Sequence, residues 1–72
     1  MNRKNKIKIK LNGKYQLFDA NKTVYDLINK LKISINKVAI EINNKIIDKK
    51  KVKKIILKNK DNIEIVHFIG GG

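Results

Sequence analysis

Val24, Leu27, Ile28 and Leu31 recur at the i, i+3, i+4 and i+7 spacing of an amphipathic helix, whereas the apolar residues on either side of this segment alternate with polar ones. One helical stripe set among strand patterns leaves a chain of 72 residues a single architecture, a helix laid across one face of a sheet. Nothing else in the chain is long enough to cover that face. At this size roughly 60% of the unfolded surface can be buried, so there is room for one core layer and not for a deep cleft walled by the chain itself. No Cys is present, which excludes disulfides, thiolate metal sites and a thiol nucleophile.

Ile7, Ile9 and Leu11 alternate with Lys8 and Lys10, the period-two pattern of a half-buried strand. Asn12-Gly13 supplies a two-residue turn that tolerates positive φ, and Tyr15 to Phe18 return as the second strand of a hairpin. Thr23 followed three residues later by Asp26 has the form of a capping box at the start of the helix, with Asn29, Lys30 and Lys32 on its wet side. Val38, Ile40 and Ile42 predict a third strand with Glu41 outward, and Asn43-Asn44 turn the chain into a short strand at Lys45-Ile46-Ile47. Across Asp48 to Leu57, Val52, Ile55 and Ile56 have helical spacing, but the lysines crowded between positions 49 and 54 repel one another, so an irregular stretch or one short helical turn is expected. Asn59 to Asn62 is a turn cluster that launches the last strand, Ile63 to Phe68.

The net charge of +12 comes from 18 basic and 6 acidic residues. Charge of that size raises a nucleic-acid or anionic-surface partner. The chemistry of the basic residues argues against a base-reading role: Arg3 is the only Arg, and the planar guanidinium rather than the point charge of Lys is favoured for base edges and bidentate phosphate contacts. Lys, Ile and Asn, all encoded by A/T-dominated codons, dominate the composition, so an AT-rich genome accounts for the bias without selection for charge. The densest cluster is Lys49-Lys50-Lys51 with Lys53-Lys54. No stretch approaches the roughly 20 apolar residues of a membrane span, so no membrane partner is expected. The basic start, Met1 to Lys6, leads into alternation rather than a continuous apolar run, and is not read as a signal peptide.

After the last strand come Gly70-Gly71-Gly72. Glycines there bury no side chain and lose the most backbone entropy on ordering, so their value is access: a tail without Cβ atoms threads a narrow channel and presents the Gly72 carboxylate to another enzyme. The competing reading is a frayed or added end without a role. The lone His67, on a strand and without a nucleophile nearby, is read as a surface or packing residue.

The chain resembles the ThiS family of ubiquitin-like sulfur carriers. The resemblance rests on Asn12-Gly13, on Thr23-Val24-Tyr25-Asp26-Leu27-Ile28, on Val38-Ala39-Ile40-Glu41-Ile42-Asn43, and above all on Lys60-Asp61-Asn62-Ile63-Glu64-Ile65-Val66-His67-Phe68-Ile69-Gly70-Gly71-Gly72. Three positions depart from the pattern: Lys60 stands where the family usually has Gly, and Lys49 and Val52 replace an Arg and an aromatic. The resemblance implies an α+β, ubiquitin-like β-grasp fold, with a mixed four- to five-stranded sheet covered by one helix. Residues 1–69 would form a single domain and residues 70–72 a flexible tail.

It also implies a carrier rather than an enzyme, with no bound cofactor and no metal. An adenylating enzyme (ThiF-type) would use ATP and Mg²⁺ to activate the Gly72 carboxylate. Sulfur from a cysteine desulfurase or another source would convert it to a thiocarboxylate, and a thiazole synthase (ThiG-type) would accept that sulfur in thiamine biosynthesis. Gly70 and Gly71 would keep the tail narrow within the partner's channel. Phe68 and Ile69 are candidates for apolar contacts at its mouth, with burial in the sheet an equal reading for Phe68. The molybdopterin synthase sulfur carrier and a Lys-conjugating modifier share the same reactive group, and a small basic nucleic-acid-binding domain is the weaker reading from another class. The expected compartment is the cytoplasm, or the plastid stroma for an organelle-encoded chain.

Overall fold

The computed structural model describes residues 5–68; the expectations for Ile69 and for the tail at Gly70, Gly71 and Gly72 lie outside the described residues. The strands are β1 (Lys6–Leu11), β2 (Lys14–Asp19), β3 (Val38–Ile42), β4 (Lys45–Ile46) and β5 (Asn62–His67), with one helix, α1 (Val24–Lys30), between β2 and β3. They form one mixed sheet in the order β2-β1-β5-β3-β4. The last strand is thus inserted between the first and the third, parallel to β1 and antiparallel to β3. This is the β-grasp that the resemblance implies. Against expectation, β5 begins and ends one residue early, because Asn62 already pairs with Lys10 and the paired register with β3 ends at His67.

Register sends the alternating apolar residues to one face. Ile42 pairs with Ile63 and Ile40 with Ile65, while Leu11 lies beside Ile63, and all five are buried against α1. From the helix, Val24, Leu27 and Ile28 enter the same core. A fully buried side chain of this kind contributes about 1.5–3 kcal/mol, and a helix of seven residues would not persist in water without such packing. The other face carries Lys8, Lys10, Tyr15, Glu41, Glu64 and Val66 and is left uncovered by the helix.

The helix ends are closed by different means. At the N-terminus the capping box is complete: Asp26 N–H donates to Thr23 Oγ1 at 3.1 Å, and Thr23 N–H donates to Asp26 Oδ2 at 2.8 Å. The next orphan amides are met from outside, Val24 N–H by Ile55 O at 2.9 Å and Tyr25 N–H by Val52 O at 3.1 Å. The irregular stretch expected around Asp48 to Leu57 is therefore a brace for α1. It contains one 3₁₀ turn, Lys49–Lys51, with Asp48 accepting from Lys50 N–H at its start. At the C-terminus Ile33 N–H reaches Ile28 O and Lys32 N–H reaches Asn29 O, a Schellman closure with Lys32 at φ 58° where Gly is usual.

Among the described residues, four of the six non-Gly residues with positive φ are Asn at positions 12, 21, 43 and 44, the type that tolerates it. The other two are Lys32 and Lys60, the latter at 73°. The left-handed region costs a residue with a Cβ about 1–2 kcal/mol, and Gly returns about 0.4–1 kcal/mol of that by its greater unfolded entropy. Lys60→Gly is therefore expected to raise unfolding stability by about 0.5–1 kcal/mol in urea titrations. Lys58→Gly, at a residue outside the left-handed region, should lower it.

The Thr23 backbone amide holds the Asp26 carboxyl below its usual range, the Thr23 hydroxyl and Lys22 add to this, and burial opposes it. A depressed folded-state value means stability that is present above the unfolded carboxylate pKa and lost as pH falls through the folded one. Asp26→Asn should accordingly be less stable than the parent chain near neutrality, with the gap closing as pH drops below about 4; urea unfolding at both pH values checks this.

Candidate functional site

The alternation that buries Ile63 and Ile65 turns Glu64 and Val66 to the opposite face, and Phe68 follows at the end of the strand. Val66 is 54% exposed and Phe68 60% exposed. Phe68 therefore belongs to the surface and not to the core, which leaves its role as an apolar contact open and removes the packing alternative. Lys49 Nζ lies 4.9 Å from the centroid of the Phe68 ring, within range of a cation–π contact. The stretch that braces the helix thus also places a cation beside Phe68.

Three sets of hydrogen bonds fix where the strand delivers Phe68. Phe68 N–H donates to Lys37 O at 2.9 Å, which holds the residue beside the segment entering β3. On the other edge β1 stops at Leu11, and Asn12 takes over: its N–H donates to Ile63 O at 2.9 Å, its Oδ1 accepts from Ile65 N–H at 2.8 Å and its Nδ2 donates to Ile65 O at 3.4 Å. The Asn12 amide side chain imitates one more residue of the β1 ladder. At the start of β5, buried Asp61 accepts from Asn43 Nδ2 at 3.0 Å and from Lys58 N–H at 2.8 Å, and Asn43 Oδ1 accepts from Asn62 N–H at 2.9 Å.

Sequence reasoning placed Phe68 at the site and treated Asn12 as a turn residue only. The bracket to Ile65 spans 53 positions, a relation that a turn signal does not carry. His67 is exposed. Among the described residues no group of three or more His, Asp or Glu side chains is placed to hold a metal ion, and no helix is long and apolar enough to cross a membrane. The described residues present position, apolar surface and a nearby cation.

A model described as the ThiS family matches residues 9–72 of the chain. The chain is 40% identical over 50 residues to the sulfur carrier protein ThiS of Bacillus subtilis, an alignment covering 69% of this chain and 76% of that protein. It is 38% identical over 66 residues to a thiazole synthase of Paramagnetospirillum magneticum, covering 92% of this chain but only 20% of that much longer protein. The crystal structure of the thiamine biosynthesis protein ThiS from Geobacter metallireducens superposes with a TM-score of 0.79 at 26% identity, over 92% of this chain and all of that one.

The bracket predicts a specific defect. Asn12→Gly keeps a residue suited to φ 49° but deletes both side-chain bonds to Ile65, and it should destabilise the domain by about 1–2 kcal/mol in chemical denaturation. A variant as stable as the parent would mean that β5 does not need this support.

Proposed function

The chain belongs to the ThiS family, and we propose that it works as a sulfur carrier for thiazole formation in thiamine biosynthesis, with the Gly72 carboxyl as the group that is activated and loaded. The observation that carries this reading is the family match, which runs through the glycines to residue 72, joined to a strand that is held on both edges and ends in an exposed Phe68.

A carboxylate is a poor electrophile, and a protein that carries sulfur on one must have it activated. In the proposed sequence an adenylating enzyme transfers AMP from ATP to the Gly72 carboxylate and releases pyrophosphate. Sulfur derived from cysteine then displaces AMP at the acyl carbon, and one carboxyl oxygen has been replaced by sulfur. The chain supplies no acid, base or metal to these steps; it supplies the acyl group and its placement. Gly70 and Gly71 keep the segment before the reacting carbon free of Cβ atoms, so that it fits a narrow channel. Phe68 and Ile69 meet the partner at the mouth of that channel, and Lys49, poised over the Phe68 ring, moves with or shields that apolar surface.

Thiazole synthase is the proposed acceptor. Support comes from the Paramagnetospirillum magneticum thiazole synthase, in which a segment similar to nearly all of this chain occupies a fifth of the polypeptide: where carrier and acceptor share one chain, transfer between them is the simplest reason for joining them. The proposed adenylating partner is ThiF-type, the sulfur source a cysteine desulfurase, and the compartment the cytoplasm or, given the AT-biased composition, the plastid stroma.

Incubation with ATP, Mg²⁺, a ThiF-type adenylating enzyme, cysteine and a cysteine desulfurase should add to the intact mass the difference between sulfur and oxygen. A chain lacking Gly72 should gain nothing. Phe68→Asp, at an exposed position, should stay folded and lower the kcat/KM of adenylation about tenfold. Failure of the complete chain to gain sulfur, with the adenylating enzyme active on its own carrier, would refute the reading.

A further inference from the structure

At the end of β5 opposite the tail, the uncovered face of the sheet holds a pocket that the carrier role does not use. Lys10 stands directly across from Tyr15 in the β1–β2 register, and Lys8, two residues earlier, shares its face. Their Nζ atoms lie 5.5 and 5.6 Å from the centroid of the Tyr15 ring, which is 67% exposed. Lys60 and Asn62 close the far side, giving an open pocket of about 440 Å³ lined by these five residues. Six strand residues at about 3.3 Å each put Asn62 about 20 Å from Phe68.

The pocket is held in shape. Lys8 N–H donates to Asn59 Oδ1 at 2.8 Å, Lys60 N–H to Lys8 O at 2.6 Å and Lys10 N–H to Asp61 O at 2.8 Å. These bonds fix the loop that carries Lys60 against β1. Three ammonium groups are thereby gathered on one surface, and none has a carboxylate within ion-pair distance among the described residues; Lys6 pairs with Asp19, while the Asp61 carboxylate is engaged by Asn43 and Lys58. Glu64, next along β5 on this face, stands across from Glu41 of β3 and makes no ion pair with these lysines. Unpaired like charges brought together repel, and Lys60 adds to that cost a left-handed backbone at φ 73°. Lysines without carboxylate partners, gathered around one concave place, favour an anionic ligand there.

The ligand chemistry follows from the lining. Three lysines, a tyrosine and an asparagine line it, a cationic and donor-rich set that calls for an anion with several oxygens. Lys binds a phosphate group as a point charge, and several lysines around one pocket suit an anion that carries more than one negative charge. The volume is that of a small-molecule site. We propose that the pocket formed by Lys8, Lys10, Tyr15, Lys60 and Asn62 binds a pyrophosphate group, either as the free anion or as the phosphate chain of a nucleotide. This does not depend on the sulfur-carrier reading.

Amide chemical shifts of the full ¹⁵N-labelled chain, titrated separately with sodium pyrophosphate and with ATP, test it. Pyrophosphate should give a saturable one-to-one response centred on Lys8, Lys10, Tyr15, Lys60 and Asn62. Lys10→Gln and Lys60→Gly should each weaken it about tenfold, while Lys53→Gln, which removes the same charge from beside Tyr25, should leave it unchanged. Because Lys60→Gly relieves backbone strain, lost binding in that variant cannot be lost folding. Tighter binding of ATP that Tyr15→Leu reduces to the pyrophosphate level identifies a nucleotide; equal affinities identify the free anion. A response that does not saturate, equal weakening by Lys53→Gln, or binding of an oligoglutamate or an RNA oligomer without binding of pyrophosphate would overturn the proposal.

Discussion

Asp61 is buried, and both oxygens of its carboxylate are engaged inside the fold, one by the Asn43 side chain and the other by the Lys58 amide. Its own carbonyl accepts from Lys10 N–H. One residue thus ties the turn after β3, the loop before β5 and the end of β1 to a common point. Removal of the carboxylate would release the Asn43 side chain and the Lys58 amide together, and with them two of the bonds that place the start of β5. The insertion of β5 between β1 and β3 depends on this junction, because the strand has no hairpin to set its register. With the start fixed, Ile63 and Ile65 fall on the core side and Val66 and Phe68 reach the surface.

The same geometry separates two tasks. Residues 5–68 hold a strand at a defined height and orientation. The chemistry proposed for Gly72 needs a narrow segment and an activating partner but no catalytic side chain from this domain. A small β-grasp is suited to that division, since its central strand is bonded on both edges to β1 and β3 and projects from the middle of the sheet. The cluster of lysines at Lys8, Lys10 and Lys60 lies at the other end of that strand from Phe68.

Much of this was legible from residue patterns, and the exceptions have physical causes. The alternation at Ile7 to Leu11 and at Val38 to Ile42, the Asn12-Gly13 turn and the Thr23–Asp26 box act over a few residues, and each formed as expected. Asp48 to Leu57 could not be assigned because its shape answers to the amides of α1, not to its own periodicity. The boundaries of β5 slipped by one residue because pairing with Lys10 captures Asn62 before the apolar run begins. Lys32 and Lys60 gave no sign of positive φ, since nothing in a lysine announces it; for Lys60 the Gly usual in the resembling family was the one hint. Exposure of Phe68 likewise depends on where the ladder with β3 ends, a matter of tertiary register.

Whether β5 is a fixed support along its length is tested most directly by native-state hydrogen exchange at Lys10, Asn62 and Ile65, whose amides donate to Asp61 O, Asn43 Oδ1 and Asn12 Oδ1. If the strand is locked by these bonds, all three amides open only with the whole domain, at free energies that agree with global unfolding to within about 1 kcal/mol. Exchange at Asn62 and Ile65 through a local opening several kcal/mol easier than global unfolding would contradict it, and would mean that the tail leaves from a strand that frays.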